Sequence, residues 1–175
     1  MLRIETRMIK TIEVINNLKE ASLIRDYAIG GGYALNYYLE PILTYDLDVF
    51  ILLDTEKDFS ALYEYFKSKR YKIENVYIVI GGIPVQFLPT YISPIIDEGV
   101  KKGKGIKING VPAKILKVEY LIATLLLAFR PKDRIIIPQL LELADKRLLN
   151  DILKRFSDEK APLDKRFRRI LESIQ

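Results

Sequence analysis

Two aspartates lie one residue apart at the start of an apolar segment, in the run Tyr45-Asp46-Leu47-Asp48. Side chains two positions apart in a β-strand point to the same face, so the carboxylates of Asp46 and Asp48 are predicted to lie side by side. Two like charges at the mouth of a buried strand are unfavourable unless a cation binds or a pKa rises. The pair therefore indicates a metal site, with a solvated turn at Tyr45-Asp46 as the alternative.

The chain contains no cysteine and no histidine. Their absence excludes disulfides, thiolate metal sites, the usual zinc and haem ligands, and any Ser-His-Asp triad. A metal held by Asp46 and Asp48 is therefore expected to be a hard divalent cation bound through oxygen, Mg²⁺ or Mn²⁺.

Three consecutive glycines, Gly30 to Gly32, follow a short apolar run and precede a helical pattern. Glycine at a strand-to-helix junction lets backbone N–H groups approach an anion closely, and the helix N-terminus favours negative charge. We expect Gly31 and Gly32 to bind the phosphates of a nucleotide, with tight packing at the junction as the alternative. Glycines that hold a triphosphate and aspartates that hold a metal form the layout of phosphoryl and nucleotidyl transfer.

The apolar periodicity predicts the elements that must position these residues. Helices are predicted over residues 6–22, 33–39, 58–69 and 93–101, and strands over 27–29, 46–53, 72–80, 83–88, 106–108 and 111–115. Gly81-Gly82 and Asn109-Gly110 are expected to form hairpin turns. From residue 118 the pattern is helical, over 118–129, 138–144, 147–156 and 163–174, with breaks at 130–133 and 160–162.

This order of elements predicts an α/β fold, a mixed sheet flanked by helices over residues 1–116. Residues 117–175 are expected to form a helical C-terminal portion that packs on this core.

The chain of 175 residues, 49% of them hydrophobic, is long and apolar enough for one domain with a substantial core. Its net charge of +5 permits nucleic-acid or nucleotide partners. Abundant Lys, Arg, Glu and Ile also fit a protein from a hot environment. No apolar run reaches the roughly 20 residues of a membrane helix, and the N-terminus lacks a signal peptide's apolar core, so a cytoplasmic protein is expected.

The glycine run and the aspartate pair resemble motifs of the nucleotidyltransferases of the polymerase-β superfamily. The resemblance is strongest to the small branch that includes the abortive-infection AbiEii-like toxins. That branch carries Gly-Gly-x-Ala-Leu at the start of a helix and hydrophobic-Asp-x-Asp at the start of a strand. The corresponding runs here are GGYAL at 31–35 and YDLD at 45–48. The segment 118–134 is similar to the branch's later helix and its Lys-Asp corner.

The resemblance implies a nucleotidyltransferase-like mixed sheet and a Mg²⁺-dependent transfer of NMP from an NTP. The acceptor would be a hydroxyl of a protein, an RNA or a small molecule. The resemblance also implies that Asp46 and Asp48 are catalytic and metal-binding residues, and that Gly31 and Gly32 bind the nucleotide.

The chain departs from this branch at three positions. Gln86 stands at the place of a third carboxylate, and its neutral amide oxygen is expected to be a weak metal ligand. Leu125 stands where the branch often has a lysine, and three isoleucines at 135–137 where it often has another aspartate. Asp97 or Glu98 is expected to replace the third carboxylate only if the loop after the strand that holds Gln86 folds back.

Two alternatives to an active enzyme stay open. The first is a nucleotide-binding or interaction module that has lost turnover, which Gln86 and Leu125 favour. The second is an RNA-binding accessory protein that uses a basic run, Lys101, Lys102, Lys104 and Lys107.

Two further sets of residues lie near the motifs. Lys132-Asp133 is interpreted as a helix cap and surface contact rather than as catalytic. Tyr33, Tyr37 and Tyr38 are expected to pack in the core, with stacking on a nucleobase as the alternative.

Overall fold

The computed structural model describes residues 2–41 and 44–174. The helices in these ranges are α1 (Leu2–Glu20), α2 (Gly31–Tyr38), α3 (Glu56–Ser68), α4 (Pro94–Lys101), α5 (Val118–Ala128), α6 (Pro131–Leu141), α7 (Lys146–Phe156) and α8 (Leu163–Ile174). The strands are β1 (Asp26–Ile29), β2 (Leu47–Leu52), β3 (Lys72–Glu74), β4 (Tyr77–Ile80), β5 (Ile83–Pro89), β6 (Lys104–Ile108) and β7 (Val111–Ile115). A short 3₁₀ turn, Thr90–Ile92, follows β5.

The strands form one mixed sheet in the order β3-β4-β5-β2-β1-β7-β6. Strand β2 runs parallel to β5 and antiparallel to β1, and β1 runs parallel to β7. Leu47, Val49 and Ile51 of β2 are fully buried, as expected for a central strand. The mixed sheet with its flanking helices confirms the predicted α/β class, and it places the Asp-x-Asp run in the middle of the sheet.

Helices pack on the sheet and are hydrogen-bonded to its strands and to one another's ends. The hydroxyl of Thr11 in α1 donates to the backbone oxygen of Ile80, 2.7 Å away, at the end of β4. Helix α5 is largely buried, and its start is joined to α2 because the Tyr38 hydroxyl donates to the Leu116 backbone oxygen over 2.8 Å. The Asp-x-Asp run at the start of β2 therefore lies on a packed core.

The C-terminal helices are joined to α4 and α5 by charged contacts. Arg155 in α7 donates to both carboxylate oxygens of Glu98 in α4 at 2.8 Å. Arg166 in α8 donates to the backbone oxygens of Leu126 and Leu127, 2.7 and 2.8 Å away, at the end of α5. The two hydrogen bonds from Arg166 satisfy carbonyls that a helix end leaves without partners. The division of the chain near residue 116 stays a prediction.

Both predicted glycine-containing hairpins are confirmed, but the strand predicted over 72–80 is wrong. It is a hairpin of β3 and β4 with Glu74 opposite Tyr77, so Asn75 and Val76 form a two-residue turn. Asn75 has a φ of +55°, a left-handed conformation that asparagine adopts more readily than most residues. Apolar residues resume directly after Asn75, at 76–80, so the segment reads as one continuous strand.

The break predicted at 130–133 and the helix predicted from 138 are also wrong. Helix α6 begins at Pro131 and contains Pro138 in its interior. Proline suits the first helical position because the N–H that it lacks has no partner there. The Asp133 carboxylate accepts the backbone N–H of Arg130 over 2.9 Å, which caps the helix.

In the part of the chain that the structure describes, no helix is long and apolar enough to cross a membrane.

Candidate active site

Asp46 and Asp48 lie at the entrance to the central strand. Asp46 is the residue before β2, Asp48 is the second residue of β2, and both are half-buried. The backbone oxygen of Asp48 accepts the N–H of Gly30 over 3.0 Å, which extends the pairing of β1 with β2 to the start of α2. The strand register therefore fixes the backbone beneath the Asp48 carboxylate.

The electrostatics of Asp48 show the predicted conflict of like charges. Burial raises the pKa of Asp48 above its usual value, and the nearby Asp46 carboxylate raises it further. The positive charges of Arg130 and Lys132 oppose this and lower the pKa of Asp48 in part. Arg130 and Lys132 thus partly stabilise the ionised carboxylate of Asp48.

The glycines occupy the first turn of α2 and pack against the aspartate loop. Gly31 has a φ of +54°, and a Cβ on it would lie 1.9 Å from Oδ2 of Asp48. A Cβ on Gly32 would lie 2.6 Å from Oγ1 of Thr44. Close packing, the alternative to a phosphate role, is therefore observed at both glycines. The phosphate role stays a prediction, and the first N–H groups of the helix have no acceptor within it.

Gln86 and Tyr77 complete a row of residues across three strands. Gln86 of β5 pairs with Asp48 of β2, and Tyr77 of β4 pairs with Gln86. The Tyr77 hydroxyl donates to Oδ2 of Asp46 over 3.1 Å. This hydrogen bond to a carboxylate raises the pKa of Tyr77. Tyr77 was not predicted as a site residue, because only the pairing of β4 with β5 brings it to Asp46.

The start of α6 supplies two positive charges near Asp48 that were not predicted as part of the site, the N-cap residue Arg130 and Lys132 in the first turn. Asp133 is 1% exposed, and its carboxylate accepts Nε of Arg130 over 2.9 Å as well as the cap hydrogen bond. The prediction of a helix cap is confirmed for Asp133, whereas the predicted surface contact is wrong because this side chain is buried. The capping pattern around Pro131 was the signal for an α6 that starts beside Asp48.

The acidic residues considered as replacements for a third carboxylate lie in other contacts. Asp97 accepts the Thr90 hydroxyl over 3.2 Å and forms an ion pair with Lys101. Glu98 is bound by Arg155 and by the Tyr120 hydroxyl, which holds the pKa of Glu98 at about 2. Neither replaces the missing carboxylate. Across the described residues, no group of three or more acidic side chains could hold a metal.

Of the α2 tyrosines, Tyr33 and Tyr38 are half-buried and pack against the core, whereas Tyr37 is 45% exposed, so the predicted core packing is wrong for Tyr37. The Tyr38 ring contacts the Tyr37 ring edge-on, with the centroids 5.0 Å apart, and burial raises the pKa of Tyr38 to about 12. Lys104, one residue of the basic run, lies 5.2 Å from the centroid of the Tyr37 ring. Leu125, at the place of the branch's lysine, is 5% exposed.

The residues present fit a hard divalent cation. Asp46 and Asp48 offer carboxylate oxygens of like charge, and the register places the Gln86 amide beside Asp48. Mg²⁺ and Mn²⁺ prefer oxygen donors of this kind. Two carboxylates with one amide carry less negative charge than three carboxylates, so binding of a second cation is expected to be weaker.

Comparison with known proteins bears on the fold. No protein-family model and no curated protein matches the sequence. Among solved structures, an antigenic nucleotidyltransferase-like protein from Paracoccidioides brasiliensis superimposes with a TM-score of 0.59 at 17% identity, over 94% of this chain and 92% of that one. The chain has a nucleotidyltransferase fold.

Two structures of the antibiotic-resistance factor ANT(2″)-Ia have the same nucleotidyltransferase fold. Its solution structure matches with a TM-score of 0.54 at 13% identity, over 97% of each chain. Its complex with adenylyl-2″-tobramycin matches with a TM-score of 0.51 at 15% identity, over 91% of this chain and 97% of that one. At these identities the likeness shows the fold alone.

Asp48→Asn is expected to stabilise the ligand-free protein at neutral pH. Because the native pKa of Asp48 is raised, ionised Asp48 weakens the native state relative to the unfolded chain. The destabilisation is absent below the unfolded-state pKa, about 3.9, and develops as the pH rises through the native pKa. Thermal unfolding should show Tm a few degrees higher in the variant at neutral pH, since about 1 kcal/mol shifts Tm by roughly 2–4 °C at this size.

Asp54→Asn is the matched control, because Asp54 is exposed and paired with Arg25. This exposed pair contributes about 0–1 kcal/mol, so the control should leave Tm unchanged or slightly lower it. If Asp48→Asn lowers Tm at neutral pH, or if it still raises Tm in acid, the account of Asp48 is wrong.

Gly31→Ala is expected to disrupt the carboxylate pair. The new Cβ would collide with Oδ2 of Asp48, and the positive φ would add backbone strain. Gly110→Ala controls for the strain, because Gly110 has a φ of +85° with no heavy atom within 4 Å of its Cβ position. Stabilisation by Mg²⁺ with an NTP, measured as a Tm shift, should be lost in Gly31→Ala and kept in Gly110→Ala. Equal shifts in both variants would contradict this packing role.

Proposed function

We propose that this chain is a nucleotidyltransferase of the polymerase-β superfamily that transfers NMP from an NTP to a hydroxyl. The observation that supports this most is the Asp46 and Asp48 pair at the central strand of a nucleotidyltransferase fold, with Gly31 packed against Asp48. An ionised, half-buried carboxylate that other residues hold in place is typical of functional sites. The GGYAL and YDLD runs support the AbiEii-like branch as the finer assignment.

Asp46 and Asp48 would hold the divalent cation, Mg²⁺ or Mn²⁺, with Gln86 as a weak third donor. When bound, such a cation neutralises phosphate charge and lowers the barrier to displacement at phosphorus. Gln86 is neutral and cannot act as a base, so of these three residues Asp46 and Asp48 would accept the proton from an acceptor hydroxyl.

The first turns of α2 and α6 would bind the triphosphate. The backbone N–H groups of Gly31 and Gly32 lie at a helix N-terminus, which favours anions. Arg130 and Lys132 lie close enough to Asp48 to lower its pKa, so their charges act on the same space. Asp133 fixes the orientation of Arg130 through its guanidinium and its backbone. Positioned charge of this kind is the main means of catalysis in phosphoryl transfer.

The acceptor would carry a hydroxyl on a protein, an RNA or a small molecule. The adenylyl-2″-tobramycin bound to ANT(2″)-Ia is a small molecule that carries a nucleotidyl group, and it supports a small-molecule acceptor. The net charge of +5 supports RNA only weakly, because Lys101 and Lys102 of the basic run form ion pairs with Asp97 and Glu98.

A second candidate function is a nucleotide-binding module without turnover. Gln86 favours it, because Gln86 pairs with Asp48 where the superfamily is implied to carry its third carboxylate. Loss of a general base typically lowers a reaction rate by about 10²–10⁴-fold. Binding of the nucleotide does not require the base and would stay intact.

Transfer of label from an α-labelled NTP to a mixture of hydroxyl acceptors distinguishes the two functions. With Mg²⁺ present, wild type should transfer label slowly, and Asp46→Asn/Asp48→Asn should transfer none. Gln86→Glu restores a carboxylate and should raise the rate about 10²-fold or more, the range of a general base. Gln139→Glu, an exposed position on α6, is the matched control and should not change the rate.

Binding of the NTP is followed in parallel as a Mg²⁺-dependent Tm shift. If NTP shifts the Tm of wild type but neither wild type nor Gln86→Glu transfers label, the module without turnover is favoured. A shift of the same size in Asp46→Asn/Asp48→Asn would contradict the site itself.

A further inference from the structure

Tyr77 brings a hydroxyl of the chain itself to a catalytic carboxylate. It lies on β4, two strands away from β2, and its side chain extends past Gln86 toward Asp46. The hydroxyl then donates to Oδ2 of Asp46 over 3.1 Å. A phenol that donates to a carboxylate base has the arrangement that an acceptor hydroxyl needs before it attacks phosphorus.

We propose that Tyr77 is an acceptor of the transferred nucleotide, so that the chain nucleotidylates itself at this residue. The inference rests on the proposed function, because it requires that an NTP binds at Asp46 and Asp48. It adds Tyr77 as a modification site, and it identifies a tyrosine hydroxyl as the acceptor in one reaction of the active site.

The step balances with the NTP as the only co-reactant. The Tyr77 oxygen attacks the α-phosphorus, a tyrosine O–P bond forms, and the bond from the α-phosphorus to the bridging oxygen breaks. Pyrophosphate leaves with that electron pair. The phenolic proton passes along the existing hydrogen bond to Oδ2 of Asp46. The product is a phosphodiester between Tyr77 and NMP.

Delivery of the hydroxyl by the chain itself can offset the missing third carboxylate. Well-oriented groups within one molecule react with effective molarities of about 10⁵–10⁸ M. A general base contributes about 10²–10⁴-fold, so positioning outweighs its loss. The substitution by Gln86 is therefore less damaging for Tyr77 than for a hydroxyl that diffuses in from solution.

Tyr45 provides an internal comparison. It directly precedes Asp46 in the chain and is 77% exposed, whereas Tyr77 is half-buried. Reaction governed by exposure alone would modify Tyr45. Reaction governed by the hydrogen bond to Asp46 modifies Tyr77 instead.

The adduct limits its own formation. NMP on Tyr77 would lie beside Gln86 and Asp46, so it would fill the place of any further acceptor. One chain therefore takes up at most one NMP at this residue, and the modified chain transfers label to added acceptors more slowly than the unmodified chain.

The test incubates the purified full chain with Mg²⁺ and an equimolar mixture of the four NTPs. Intact mass identifies the base from the mass gained, and peptide mapping locates the adduct. Wild type should gain one NMP, on Tyr77. Tyr77→Phe should gain none, and Tyr45→Phe should gain as much as wild type. The fraction modified per unit time should not change on tenfold dilution, since the hydroxyl and the carboxylate belong to one chain.

An adduct on Tyr45, or a rate that falls with dilution, would overturn the inference. So would the absence of an adduct in a wild-type protein whose Tm rises with Mg²⁺ and NTP. In that last case label transfer to added acceptors still supports the proposed function. If Mg²⁺ and NTP produce no Tm shift in wild type, the proposed function fails and this inference fails with it.

Discussion

The site depends on one unfavourable interaction, a half-buried Asp48 carboxylate beside the carboxylate of Asp46. Burial and the neighbouring charge both raise the pKa of Asp48, so the native state holds this charge at the expense of stability. The surrounding contacts keep the charge in place. Strand pairing fixes its backbone, Gly31 leaves its oxygen just enough room, and Arg130 supplies part of the compensating charge.

The sheet topology explains why distant parts of the chain meet at this charge. The central strand β2 has β1 on one side and β5 on the other. Strand β1 leads into the first turn of α2, and β5 places Gln86 beside Asp48. The β4–β5 hairpin adds Tyr77 in the next row, and α6 begins nearby with Arg130. The same arrangement that costs stability without a ligand would, under the proposed function, give a divalent cation and a triphosphate a prepared position. This is a common trade between stability and function.

Local sequence patterns predicted the parts of the fold that depend on local chemistry. The alternation around Asp46 and Asp48, the glycine turns and the amphipathic helices all follow from residue spacing. Two features of the β3–β5 region were missed. Tyr77 reads as an ordinary strand residue, because its hydrogen-bond partner Asp46 is 31 positions away in the chain. The Asn75 turn was missed because apolar residues resume directly after it, at 76–80, and the segment reads as one strand. The start of α6 was misread because Pro131 reads as a break unless its Asp133 cap is considered.

The most direct measurement is a calorimetric titration of Mg²⁺ into the protein with a saturating NTP analogue that cannot be cleaved between its α- and β-phosphates. After subtraction of the Mg²⁺ binding by the analogue alone, measured without protein, wild type should show saturable binding that Asp46→Asn/Asp48→Asn lacks, because the paired carboxylates are the charged oxygen donors at the central strand. Binding of Mg²⁺ that is equally tight in wild type and in the double variant would contradict the account.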